Sequence, residues 1–167
     1  ASCQRVGYGI IVALKVKHDS ISLDLPLIRR SIEEYLDSDF ERYPSDDDDT
    51  AYGLVVHDYL ALYLERLRNG SIPLECLDRR PFRLIWEHKR CMLDRILAVE
   101  QALGLDDAVS QAYAPLEKEA NRMHFIYAKY NQKPQAELLS LLQRKLAELK
   151  EKERYLLTEL VERMSAA

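Results

Sequence analysis

The sequence predicts a mainly α-helical protein: an antiparallel bundle of about five helices with a small N-terminal β element. Two observations predict this class. Apolar residues recur every three or four positions across most of residues 26–164, which places them along one side of successive α-helices. Prolines and glycines fall near the ends of these segments, where they begin or end helices. The chain has 167 residues, of which 47% are apolar, enough for one domain with a buried core.

The first 25 residues differ from the rest. Residues 6–16 are rich in β-branched side chains and predict a strand, with a short helix as the alternative. Apolar and polar residues alternate from Ile21 to Leu25, the period of a second, half-buried strand. Two strands alone are barely stable. We therefore interpret residues 1–25 as a short β element or the remnant of a larger domain, and residues 26–167 as the helical domain.

Two helices are predicted next. The first begins at Pro26 and continues to about Arg42. The second runs from about Thr50 to Arg68, and Asn69-Gly70 is its stop signal. Between them, residues 46–49 are four aspartates without the alternating ligands and turn glycine of a calcium loop, so we interpret them as a solvated loop.

The third helix, from Asp78 to Gly104, is predicted to be the spine of the bundle. Asp78 is expected to cap it and Gly104 to end it. Its predicted inner stripe consists of Leu84, Ile85, His88, Met92, Ile96, Val99 and Leu103. The charged residues expected mostly on the opposite side are Arg83, Lys89, Arg90, Arg95 and Glu100. Cys91 is interpreted as a small buried apolar residue.

Two further helices complete the bundle. The fourth begins at Asp106-Asp107, and Pro115 is expected to kink or split it. The fifth runs from Pro134 to about Met164 and carries a leucine seam that Glu153 interrupts. The six leucines of this seam are Leu139, Leu142, Leu146, Leu149, Leu156 and Leu160.

Composition and motif spacing exclude several classes of function. The net charge is −4, and no basic stripe indicates a nucleic-acid partner. The longest apolar run is too short to span a bilayer, so no membrane insertion is predicted. The three cysteines follow no metal-ligand spacing and favour a reducing cytoplasm. The His and Glu residues also lack the spacing of helical di-metal sites and of zinc proteases, so no metal or other cofactor is predicted.

Three histidines form the remaining constellation that could carry chemistry. His57 and His88 fall on apolar stripes and His124 lies beside one, with Glu87 and Glu119 near them in sequence. One interpretation is three structural histidines, each satisfied by hydrogen bonds. A second is a metal ion shared by these imidazoles. A third is an acid–base or ligand-binding site made by these five residues, the candidates for catalysis.

Tyrosines on the predicted helices present a similar choice. They either line an amphipathic pocket or pack in the core with their hydroxyls at its edge. The six are Tyr52, Tyr59, Tyr63, Tyr113, Tyr127 and Tyr130.

The chain resembles one known group of proteins. The residues that carry the resemblance are Tyr52-Gly53, Trp86-Glu87-His88-Lys89, Lys129-Tyr130 and the leucine-rich helix after them. Over residues 50–160 the chain is similar to the helical half of butirosin-synthesis-type acyltransferase proteins, which resemble papain-like peptidases in their N-terminal half. The chain lacks a recognisable Cys–His half, so the resemblance implies a helical accessory domain and transfers no catalytic residue.

Two functions of different class follow. The first is a non-catalytic accessory or interaction domain that binds a protein partner or the rest of a longer chain, with a homo-oligomer through the final helix as a further possibility. The second is a small helical enzyme or ligand-binding bundle that uses His57, His88 and His124 around an internal pocket. Whether the protein is an enzyme stays open at this point.

Overall fold

A computed structural model describes residues 23–38 and 51–167. Within these ranges the chain forms five α-helices and no strand, which confirms the helical bundle. The helices are α1 (Leu25–Asp37), α2 (Val56–Arg68), α3 (Pro81–Leu103), α4 (Ala108–Gln132) and α5 (Ala136–Ala166), with 3₁₀ turns at Gly53–Val55 and Leu74–Cys76. The predicted β element up to residue 22 and the run of four aspartates lie outside the described residues.

The ends of α1 differ from the prediction at both sides. The Asp24 carboxylate accepts a hydrogen bond from the backbone N–H of Leu27 at 3.0 Å, so Asp24 is a helix cap. Leu25 was expected in a strand, but it is the first residue of the helix. The helix ends at Asp37 rather than near Arg42, because Ser38 adopts a left-handed conformation with φ of 59°.

The start of α3 is also later than predicted. Asp78 does not cap the helix, because its carboxylate accepts from the backbone N–H of Arg80, before the first turn. Pro81 is the first helical residue, and Gly104 ends the helix with φ of 64°, as expected. The last helix, α5, likewise begins two residues after Pro134.

Pro115 neither ends nor splits α4, which runs unbroken from Ala108 to Gln132. Pro115 and Gln111 are both exposed, so water can reach the Gln111 carbonyl that the proline leaves without a helical partner. The start of α4 is held from outside the helix. The buried Glu100 carboxylate of α3 accepts from the backbone N–H groups of Val109 and Ser110 at 3.0 and 3.2 Å.

Helices α2 to α5 form an antiparallel bundle. Asp58 and Arg68 of α2 lie beside Lys150 and Ser140 of α5, so these two helices run in opposite directions. The same reversed order holds between α3 and α4 and between α4 and α5. Helix α5 packs against α1, α2 and α4, whereas α3 packs mainly against α4. Helices α3 and α2 are therefore at the two ends of the series α3–α4–α5–α2, and a cleft lies between them.

The core consists of the predicted apolar stripes, except that the buried face of α3 differs from the predicted one. All six leucines of the α5 seam are buried. Lys89 and Glu100 are buried, so the prediction that they face water is wrong. They share the buried face of α3 with Phe82, Ile85, Met92 and Ile96. Leu84 and Cys91, expected inside, are exposed. Among the described helices, none combines the length and apolarity that crossing a lipid bilayer requires.

Gly53 is required where the 3₁₀ turn before α2 meets the end of α1. Its φ is +66°, and a Cβ there would overlap the carbonyl oxygen of Tyr35 and crowd Ser38. Gly70 has a similar φ of +76°, but a Cβ would meet nothing within 4 Å. Comparing the two positions therefore separates the energetic cost of steric overlap from the cost of backbone strain.

We expect Gly53→Ala to lower the free energy of unfolding by about 3 kcal/mol or more, because it adds steric overlap to the strain of a positive φ. Gly70→Ala, the matched control, should cost about 1 kcal/mol. Urea unfolding followed by circular dichroism measures both. Equal losses would show that the backbone at Tyr35 moves aside without cost.

Candidate functional site

All five helices contribute to a polar cluster around Glu153, which interrupts the leucine seam of α5. The Glu153 side chain is 0% exposed. Both of its oxygens lie close to the Lys89 ammonium of α3, at 2.6 and 2.7 Å from Nζ. The hydroxyl of Tyr113 on α4 donates to Oε1 at 2.6 Å, and the hydroxyl of Tyr35 on α1 donates to Oε2 at 3.0 Å. We call Glu153, Lys89, Tyr35, Tyr113 and His57 the Glu153 cluster.

The hydrogen bonds of the cluster compensate for burying two full charges. The Lys89 side chain is also 0% exposed, and Nζ donates to the Tyr35 hydroxyl at 3.0 Å in addition to Glu153. Burial by itself would raise the pKa of Glu153, but the charge of Lys89 and the hydrogen bonds outweigh it and hold that pKa below its usual value. Burial and then the Glu153 charge raise the pKa values of Tyr35 and Tyr113, so both stay protonated and donate.

His57 of α2 completes the cluster and has one ring nitrogen without a partner. Its Nδ1 lies 3.1 Å from the Leu54 carbonyl oxygen, which only accepts, so Nδ1 carries the proton. Nε2 then has a lone pair, lies 3.7 Å from Oε2 of Glu153 and makes no hydrogen bond. Burial, followed by the charge of Lys89, lowers the pKa of His57 to about 4. His57 is therefore neutral at pH 7.

His88 of α3 lies beside the cluster, on the wall of the cleft. Its ring stacks on Tyr35 with 5.2 Å between ring centroids, and its Nδ1 is 3.5 Å from Lys89 Nζ. An ammonium only donates, so Nδ1 accepts and the proton of the neutral ring is on Nε2. Packing around the ring and then the Lys89 charge lower the pKa of His88. The residue keeps access to solvent, so its Nε2–H is available as a donor.

The cleft between α2 and α3 has a volume of about 790 Å³. Tyr63 of α2 faces the start of α3, where its hydroxyl accepts from the Asp78 N–H at 3.0 Å. His57, also of α2, faces the middle of α3, near His88. One end of the cleft is thus aromatic and aliphatic, and the other end holds the histidines. Leu60, Tyr63 and Leu84 line the aromatic and aliphatic end. His57, His88 and Arg95 line the polar end.

The structure brings together two of the five predicted site residues. His57 and His88 both line the cleft, whereas His124 stacks on Trp86 at the α3–α4 contact, with 6.0 Å between ring centroids. Glu87 pairs with Arg83 on the surface, and Glu119 pairs with Lys145 and Arg122. The described residues therefore do not form the predicted site shared by three histidines. They also hold no cluster of His, Cys, Asp and Glu side chains suited to a metal ion.

The six tyrosines divide evenly between the two predicted roles. Tyr52, Tyr59 and Tyr63 line the cleft. Tyr113, Tyr127 and Tyr130 are buried in the core. Tyr127 also donates to the Asp78 carbonyl oxygen at 2.6 Å, so core and cleft tyrosines together hold the segment before α3.

Lys89 and Glu153 are the residues that the sequence analysis missed. A signal for Glu153 was present, because it occupies a seam position between Leu149 and Leu156 where a leucine is expected. Lys89 lies four residues after Ile85 and three before Met92, so it fits the apolar stripe as well as His88 does. A charge of each sign at a core position on two helices indicates a buried pair.

Comparison with family models, with curated proteins and with solved structures finds no match to this chain. The function of the chain is therefore inferred from the geometry of the cleft and the Glu153 cluster.

We expect Glu153→Gln to lower the free energy of unfolding by about 3–5 kcal/mol, because it leaves the buried Lys89 ammonium without its counter-charge. The double variant Lys89→Met/Glu153→Leu removes both charges and should be more stable than Glu153→Gln alone. Glu151→Gln, an exposed control on the same helix, should stay within about 0.5 kcal/mol of the wild type. Urea unfolding of the four proteins measures these differences, and a Glu153→Gln variant as stable as the control would contradict the role of the pair.

The lowered pKa of His57 predicts acid sensitivity. The folded state binds this proton near pH 4 and the unfolded state near pH 6.5, so the unfolded state holds more protons between these values. The free energy of unfolding should then fall by about 3 kcal/mol between pH 7 and pH 4 from His57 alone. His57→Phe should flatten the pH profile of urea unfolding relative to the wild type. A slope equal to that of the wild type would assign the acid sensitivity to other groups.

Proposed function

We propose that this protein binds a small, mainly apolar organic molecule in the cleft between α2 and α3. The observation that carries the proposal is the cleft itself. Its volume of about 790 Å³ lies within the range of small-molecule sites. Its walls are mainly aliphatic and aromatic, with Asp78 at one end and a few polar groups at the other, which is the composition that such sites share.

Hydrogen bonds fix both ends of the cleft in advance of binding. At the polar end, the Glu153 cluster joins side chains of all five helices. At the apolar end, Tyr63 and Tyr127 hold the backbone of Asp78 just before α3. Preorganisation of this kind supports tight binding, because little conformational freedom is left to lose when a ligand enters.

The chemistry of the polar groups favours binding over catalysis. His57 is a weak base, because its pKa is lowered to about 4. Lys89 is held by both oxygens of Glu153 and by Tyr35, which does not favour a free amine nucleophile. His57 and Lys89 instead hold the helices in place. The cleft wall beside them carries no net charge, because His57 is neutral and Glu153 neutralises Lys89.

The accessory-domain function implied by the resemblance remains a prediction, as do a homo-oligomer and a cytoplasmic location. The interaction hypothesis predicts an exposed apolar patch on the final helix or on the N-terminal strands, and the strands lie outside the described residues. In α5 the large apolar side chain with high exposure is Tyr155, which provides little apolar area for a partner. Tyr59 and Leu84, in contrast, are exposed because they lie on the rim of the cleft. These two exposed side chains therefore support a ligand in the cleft, whereas α5 offers little apolar area to a partner.

A neutral fluorescent dye tests the proposal. We expect Nile red to bind at a 1:1 ratio with a rise in fluorescence, and Leu84→Asp to weaken its binding at least tenfold by placing a charge on the apolar wall. Leu97→Asp is the matched control, because Leu97 is also exposed on α3 (46% against 59% for Leu84) and does not line the cleft.

Dye titrations of the three proteins, with circular dichroism as a check of the fold, decide the outcome. Equal weakening by the two aspartates would show that the dye binds elsewhere on the surface, and so would no weakening by either. Failure of the wild type to bind the dye would also contradict the proposal.

A further inference from the structure

Among the described residues that line the cleft, the charges are unevenly placed and one cation is free. Asp78 at the apolar end is bonded to Arg80 through both oxygens. Lys89 at the polar end is neutralised by Glu153. Arg95 lines the polar end and has no hydrogen-bond or ion-pair partner among the described residues. Within the part of the chain that the structure describes, the polar end therefore carries a positive charge without a counter-charge.

The cleft is long enough to separate an apolar body from a charged group. Along α3 its lining runs from Pro81 to Arg95, a distance of about 21 Å at the helical rise of 1.5 Å per residue. Leu84 and Ile85 lie in the first half of this stretch, and His88 and Arg95 lie in the second. Arg95 therefore lies at the end of the cleft opposite Leu84.

Two donors are available at the cationic end. The Arg95 guanidinium can hold a carboxylate through two parallel N–H groups. The His88 ring presents its Nε2–H, because Lys89 occupies its Nδ1. The acceptors nearby are used or enclosed: the Glu153 oxygens accept from Lys89, Tyr35 and Tyr113, and Nε2 of His57 has almost no exposed surface.

We propose that the ligand of this cleft is an apolar carboxylate, bound with its hydrocarbon body against Leu60, Tyr63 and Leu84 and its carboxylate on Arg95 and His88. This inference rests on the proposed function and specifies its ligand class. A cationic ligand would find Arg95 repulsive and no free carboxylate in the described lining. An uncharged ligand of the same shape would fill the apolar part and leave Arg95 to water.

A matched pair of ligands tests the class. Decanoate and 1-decanol share the same ten-carbon chain and differ in the charge of the head group. In titrations that displace Nile red at pH 7.5 and low salt, we expect the wild type to bind decanoate about tenfold to a hundredfold more tightly than decanol. The preference should shrink as sodium chloride is added, because Arg95 is exposed to solvent.

A matched pair of variants assigns the preference to Arg95. Arg95→Gln should reduce it below about threefold and leave decanol binding unchanged, since the apolar wall is intact. Arg90→Gln removes an equal charge from an exposed position of α3 that does not line the cleft, and should keep the full preference.

The possible outcomes separate the two proposals. If decanol and decanoate bind equally, or if both arginine variants lose the preference alike, the carboxylate inference is wrong while the apolar cleft remains a binding site. The same conclusion follows if neither compound displaces bound Nile red. If Nile red itself fails to bind or is insensitive to Leu84→Asp, the proposed function is wrong as well.

Discussion

The fold depends on the pairing of one buried carboxylate with one buried ammonium. Glu153 takes the place of a leucine in the middle of the α5 seam, and a charge at that position is unstable without compensation. Lys89 supplies the opposite charge from α3, and the tyrosine hydroxyls of α1 and α4 complete the coordination of the carboxylate. Because these partners come from separate helices, the requirement to satisfy one carboxylate constrains where several helices lie.

The same constraint explains why a cleft can exist in so small a bundle. Helices α2 and α3 are neighbours across the cleft but pack mainly on other helices, α2 on α5 and α3 on α4. The long side chain of Lys89 spans from α3 to α5 and anchors α3 without close contact between α2 and α3. A leucine pair at these positions would favour closing the space, since apolar side chains gain by packing. The polar cluster therefore supports the fold and leaves room for a ligand.

The histidines show how far the spacing of residues could predict the site. His57 and His88 were expected on inner faces, and both lie at the cleft. His124 was expected with them, but α4 turns it towards Trp86 instead. On α3 the spacing suits both His88 and Lys89, which are adjacent and differ by about 100° around the helix. Spacing alone could not choose between them, because the choice depends on where the partner carboxylate lies.

The sequence by itself determined the class of fold, most helix positions and the buried leucine seam of α5. It could do so because the burial of an apolar stripe is a local property that the three-four spacing records directly. The tertiary structure alone decided that Lys89 and Glu153 meet, that α4 passes Pro115 without a break, and that α2 and α3 stand apart. These features depend on contacts between residues far apart in the chain, and no periodic pattern within one segment encodes which helix faces which.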